Sequence, residues 1–128
     1  MESNQNNINN KSEKNTIVIS NINRNLRSED IYQILVNKIF PNEIVYNAIY
    51  TEHKKGKFKS SGMCYINFTK SGKIYVLKEN IDYFKGKKKQ CEIYESELQG
   101  DAFIQEMENR WNEDPSIDYI RFSNYSTG

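Results

Sequence analysis

Apolar residues along this chain recur with two periods, and the period switches at short polar or glycine-bearing boundaries. TIVISNI, residues 16–22, is dense in β-branched side chains and runs into the turn-like NINRN, which predicts a first strand. Ile31, Ile34, Leu35 and Ile39 then fall on one helical stripe, with Ser28 as N-cap, Glu29 and Asp30 in the first turn and Pro41 as its stop. IVYNAIY, 44–50, predicts a second strand, and its polarity suits Ala48 and Tyr50 inward with Asn47 and Ile49 outward. TEHKKGKFKSS follows as a long basic loop. GMCYINF is a third strand, because Cys64, Ile66 and Phe68 alternate with Met63, Tyr65 and Asn67.

Residues 69–80 carry a weaker helical pattern through Ile74 and Leu77, and IDYFKGKKK turns the chain into a fourth strand, QCEIYE. There Cys91 and Ile93 share one face, and Gln90, Glu92 and Tyr94 the other. The order is βαββαβ, which predicts an α+β sandwich: a four-stranded antiparallel sheet with two helices on one face and the other face open. Beyond Gly100, Phe103, Met107 and Trp111 recur every fourth residue with Ile104 beside them, one stripe of an additional helix over about 101–113 that Pro115 ends. SIDYIRFSNYSTG is an alternating but polar tail, extended against the domain or loose.

Residues 1–15 contain six Asn and one aliphatic residue, Ile8, after the first Met. Such a stretch buries too little apolar surface to offset ordering entropy, so disorder is expected there. The expected organisation is this tail, a domain over 16–96 and an acidic extension over 97–128. A chain of 128 residues suits one domain. The formal net charge of +1 hides a division: residues 1–91 hold 16 Lys plus Arg against 8 Asp plus Glu, and residues 92–128 hold 2 against 9. A basic body with an acidic tail marks either a surface for a polyanion or two solvated faces. Cys64 and Cys91 lack metal-site spacing and read as reduced core residues; with no apolar run long enough for a bilayer and no signal segment, an intracellular place, nucleus or cytoplasm, is expected.

The element order and third strand together resemble the RNA recognition motif (RRM) family over residues 16–96. The family's third-strand pattern is basic, Gly, aromatic, small, aromatic, aliphatic, any, aromatic. It falls on Ser61 to Phe68, where Gly62, Cys64, Tyr65, Ile66 and Phe68 fit, and Ser61 and Met63 depart. The first-strand pattern, aliphatic, aromatic, aliphatic, any, Asn, aliphatic, falls on Ile17 to Ile22 with Val18 as its one departure. The resemblance implies a sheet face on which bases of single-stranded RNA stack, each stack being worth about 1–3 kcal/mol. Of its ring positions 18, 63 and 65, only Tyr65 keeps a ring. Tyr94 and Met63 would support that ring, Val18 would lie beside it, and Ser20, Asn67, Gln90 and Glu92 would read base edges. Lys54, Lys55, Lys57 and Lys59, with Lys87, Lys88 and Lys89, would neutralise phosphates. The partner implied is single-stranded RNA within an RNA-processing, splicing or translation-related ribonucleoprotein complex, together with other protein subunits.

The same residues support a second expectation. Val18, Met63 and an outward Ile49 would form an apolar patch that meets protein. The stripe Phe103, Ile104, Met107 and Trp111 would lie across the open face or bind another subunit. IDYFKGK, 81–87, also resembles the loop of UHM domains, RRM relatives that hold a partner's tryptophan. Phe84 matches and Glu29 and Asp30 supply acids, yet Asp82 replaces the arginine, and a core role suits Phe84 better. Catalysis is not expected: His53, the sole histidine, lies in a lysine-rich stretch that reads as solvated loop. No phosphate-cradling glycine loop, nucleophile motif, cofactor site or metal site is legible.

Overall fold

The computed structural model describes residues 14–54, 61–86 and 90–122. It is an α+β fold whose eight principal elements follow one another as β1 (Thr16–Ile22), α1 (Ser28–Ile34), β2 (Tyr46–Lys54), β3 (Ser61–Phe68), α2 (Ile74–Glu79), β4 (Glu92–Glu95), α3 (Gly100–Glu113) and β5 (Asp118–Arg121). All strand pairs are antiparallel and the sheet order is β4-β1-β3-β2-β5. The sheet therefore has five strands where four were expected. The polar tail supplies the fifth because Tyr119 buries its ring against Tyr50, and the Ser28 N–H donates to Asp118 Oδ2 at 2.8 Å. Among the described residues no helix is long and apolar enough to cross a membrane.

The main core lies on the face covered by α1 and α2. Ile17 and Ile19 of β1, Ile49 of β2, Cys64, Ile66 and Phe68 of β3 and Ile93 of β4 meet Ile31, Leu35 and Leu77 there. Phe84 is fully buried in the same core, so the ring that resembles a UHM loop residue is a packing residue. The free thiols of Cys64 and Cys91 are buried, and burial pushes them up to about 12 and about 11. Both stay protonated and unreactive through the neutral range.

Strand β2 departs from expectation in length and parity. It continues to Lys54, so residues 51–54 of the anticipated loop are strand paired with β3. Ile49 faces the main core, while Ala48 and Tyr50 face the other side, the reverse of the reading from polarity. A bulge is the cause: the register shifts between Tyr46 and Ala48, so Tyr46 and Ile49 share one face although their spacing is odd. His53 is consequently half-buried on a strand, not solvated in a loop; its Nε2 meets the Leu26 carbonyl, and its Nδ1 is buried without a partner among the described residues.

Helix ends shift as well. Arg27 takes the N-cap position of α1, its N–H donating to Asp30 Oδ2 at 2.8 Å. Ser28, expected as the cap, donates its hydroxyl to the Asp118 carbonyl at 2.8 Å. The helix then widens over Leu35–Ile39, and the Phe40 N–H reaches back five residues to the Leu35 carbonyl. The second helix is confined to Ile74–Glu79, a short single-sided element, and a 3-10 turn over Ile81–Tyr83 follows.

A sheet face capped by the C-terminal helix

Alternation along β1, β3 and β4 brings Val18, Tyr65 and Tyr94 side by side on the face opposite the main core. Val18 pairs with both Tyr65 and Tyr94, so the two tyrosines stand two strand spacings, about 10 Å, apart. On this face α3 lies over the half formed by β3, β2 and β5. Its Phe103 and Met107 are buried with Ala48, Tyr50 and Tyr119, and Ile104 and Tyr65 pack at the edge of that cluster. The Phe103 ring stacks on Tyr65 with centroids 5.9 Å apart and planes 25° apart. Trp111, 37% exposed, meets Tyr119 edge-on at 5.6 Å.

Polar contacts fix the start of α3. Gln99 Oε1 accepts from the N–H groups of Asn15 and Thr16, both at 2.9 Å, while its Nε2 donates to the carbonyls of Thr16 (2.8 Å) and Ser96 (2.6 Å). Thr16 Oγ1 accepts from the Gly100 N–H at 3.0 Å and from Asn67 Nδ2 at 2.8 Å. Asn67 is thus 2% exposed, also accepting from Asn47 Nδ2 at 3.0 Å, and its amide is spent inside the fold where an edge-reading role had been expected. No periodicity flags Gln99 and Thr16; the only hint was a polar residue just before a helical stripe.

Hydroxyls and carboxylates complete the capped half. Tyr50 donates to Glu52 Oε1 at 2.9 Å, and burial, followed by that bond, pushes its phenol up to about 12. Tyr119 donates to Glu108 Oε2 at 2.6 Å and is pushed up for the same reasons. Tyr65 is raised first by burial and then by the negative charge of Glu52 and the nearby Tyr94 phenol.

The remaining expected residues divide into three groups. Val18, though buried, and Met63 line an open cleft with Tyr65 and Tyr94, and Tyr94 is 42% exposed. Ser20 lies beside that group, its hydroxyl 3.5 Å from the Glu92 carbonyl, while Gln90 and Glu92 are exposed and the Gln90 carbonyl accepts from Asn21 Nδ2 at 3.0 Å. Lys54 ends β2 opposite Ser61. Lys55, Lys57, Lys59, Lys87, Lys88 and Lys89 lie outside the described residues, as do residues 1–13 of the Asn-rich tail. Comparison with family models, curated proteins and solved structures finds no match to this chain.

Proposed function

We propose that this chain is a non-catalytic protein-interaction module of RRM type, whose sheet face holds its own C-terminal helix and offers the rest of that face to another subunit. Support for the RRM-type arrangement comes from the run β4-β1-β3-β2 with α1 and α2 packed on one side, the split βαβ pattern with a fifth strand added at the β2 edge. One observation carries the functional reading: Phe103 occupies the face of Tyr65, the ring a nucleobase would need. Magnitudes favour the helix. A base gains about 1–3 kcal/mol by stacking, whereas lifting α3 away returns two buried side chains, Phe103 and Met107, to water at about 1.5–3 kcal/mol each.

RNA binding is the second reading, and Tyr94 favours it, since its exposed ring shares a face with Tyr65 and Met63. In that reading α3 lifts away, Tyr65 stacks a base and the lysine runs hold phosphates. Titration of the full chain with a pool of short single-stranded RNA, at low and moderate salt, separates the two. The interaction-module reading expects no binding by the wild-type chain. Salt-sensitive binding that Tyr65→Ala weakens would overturn it. Binding gained only on Phe103→Ala would make the helix a cover over an RNA site.

A further inference from the structure

The half of the sheet face that α3 leaves open is a cleft of about 570 Å³ between the end of β4 and α3. Val18 and Met63 form its floor, Tyr94 one wall, and Tyr65 with Phe103 the other. Acidic residues surround it: Glu97 follows the end of β4, Glu106 lies on the helix side, and Glu92 shares the exposed face of β4 with Tyr94, whereas Glu95 alternates to the face of Ile17 and Ile93. Arg110 also lines it, but its Nε donates to Glu106 Oε2 at 2.8 Å, and this bond is the main reason its guanidinium is held more firmly protonated. Three carboxylates against one committed guanidinium repel a phosphate backbone. A purely apolar occupant would gain nothing from Glu92 and Glu97.

We propose that this cleft takes an arginine-bearing segment of a partner protein, with a guanidinium seated over the Tyr94 ring and its charge facing Glu92 and Glu97. The proposal rests on the interaction-module reading and supplies the chemistry of the partner. Arginine fits both halves of the lining. Its planar cation stacks on an aromatic face, its fork pairs with carboxylates, and its methylene stem lies along Val18 and Met63. Lysine offers a point charge without the stacking plane. The basic stretches of this chain itself, in a second copy, are the competing source of such a cation.

Fluorescence anisotropy of the full-length protein with matched labelled peptides tests this. Four peptides of one length and otherwise identical sequence carry Arg, Lys, citrulline or Glu at three spaced positions, and a short single-stranded RNA is the fifth probe. The Arg peptide binds best, weakens with salt, and loses roughly tenfold on replacement by citrulline, which keeps the shape but not the charge. Tyr94→Ala weakens it roughly fivefold, and the Glu92→Gln, Glu97→Gln pair also weakens it. Tyr75→Ala, on α2 at the opposite side of the sheet and 70% exposed, leaves it unchanged. Equal binding of the Arg and citrulline peptides, or indifference to Tyr94→Ala, overturns the assignment. So does self-association in sedimentation that Tyr94→Ala abolishes, which would give the cleft to a second copy. Failure of every peptide while RNA also stays unbound removes the cleft proposal alone, whereas RNA binding by the wild-type chain removes the interaction-module reading beneath it.

Discussion

Thr16 Oγ1 accepts two hydrogen bonds at once, from Asn67 of β3 and from the first N–H of α3, so one hydroxyl ties strand, sheet centre and helix start together. Because Asn67 is buried, Asn67→Ala leaves Thr16 and Asn47 without their amide partner, and we expect a loss of about 1–3 kcal/mol in urea unfolding. Gly62 is constrained differently: a Cβ there would stand 2.6 Å from the His53 ring and 2.7 Å from Ile22 Cγ1. Gly62→Ala should cost about 1–3 kcal/mol by the same measurement, since ring and side chain must both move. Tyr50 gives the fold an alkaline limit. Its phenol is raised from 10.0 to about 12, so the fold favours the protonated form. That contribution is complete below pH 10, where unfolded tyrosine is still neutral, and is lost as pH rises toward about 12. Stability compared at about pH 9 and about pH 11 should fall less in Tyr50→Phe than in the wild type.

Strand β2 and helix α3 show how far an element's own pattern reaches. The alternation of 44–50 was visible, but the bulge at Asn47 reverses parity within the strand, so no single assignment of faces could satisfy it. In α3 the stripe Phe103, Met107 and Trp111 was legible at its correct spacing, and Phe103 and Met107 are the members that become buried. Two buried side chains, at about 1.5–3 kcal/mol each, hold that helix in place alongside the Gln99 hydrogen bonds. Phe103→Ala should therefore undock it: acrylamide quenching of Trp111, the sole tryptophan, rises while the far-ultraviolet signature of the sheet persists. Unchanged quenching would mean that Met107 and Gln99 suffice.

Across the whole molecule, burial is uneven. One core is built between the sheet and α1 with α2, and a much smaller one between the sheet and α3. Regions with few buried contacts open locally at lower free energy than the centre of a sheet. Amide hydrogens of α3 and β5 should thus exchange faster than those of β1 and β3, as hydrogen exchange read by mass spectrometry would show. Protection of α3 equal to that of β1 would mean that helix and sheet open as one unit. The division of charge along the chain also acquires a place: the acidic segment lays Glu92, Glu97 and Glu106 around the cleft beside Tyr94.

By itself the sequence determined the order of the first six elements, the inward faces of β3 and β4, the apolar stripe of α3 and the core placement of Phe84, Cys64 and Cys91. These are local matters, set by side-chain period and propensity within a few residues. Only the tertiary structure decided that α3 rests on Tyr65, that Asn67 is buried beneath the start of α3, that β2 flips at a bulge and that Asp118–Arg121 becomes a strand. Each depends on a partner distant in the chain: Phe103 on Tyr65, Thr16 on Asn67, β3 on β2, and Tyr50 and Ser28 on the tail. Such contacts are paid for by burial between segments, and a one-dimensional pattern records which residues seek burial but not against what.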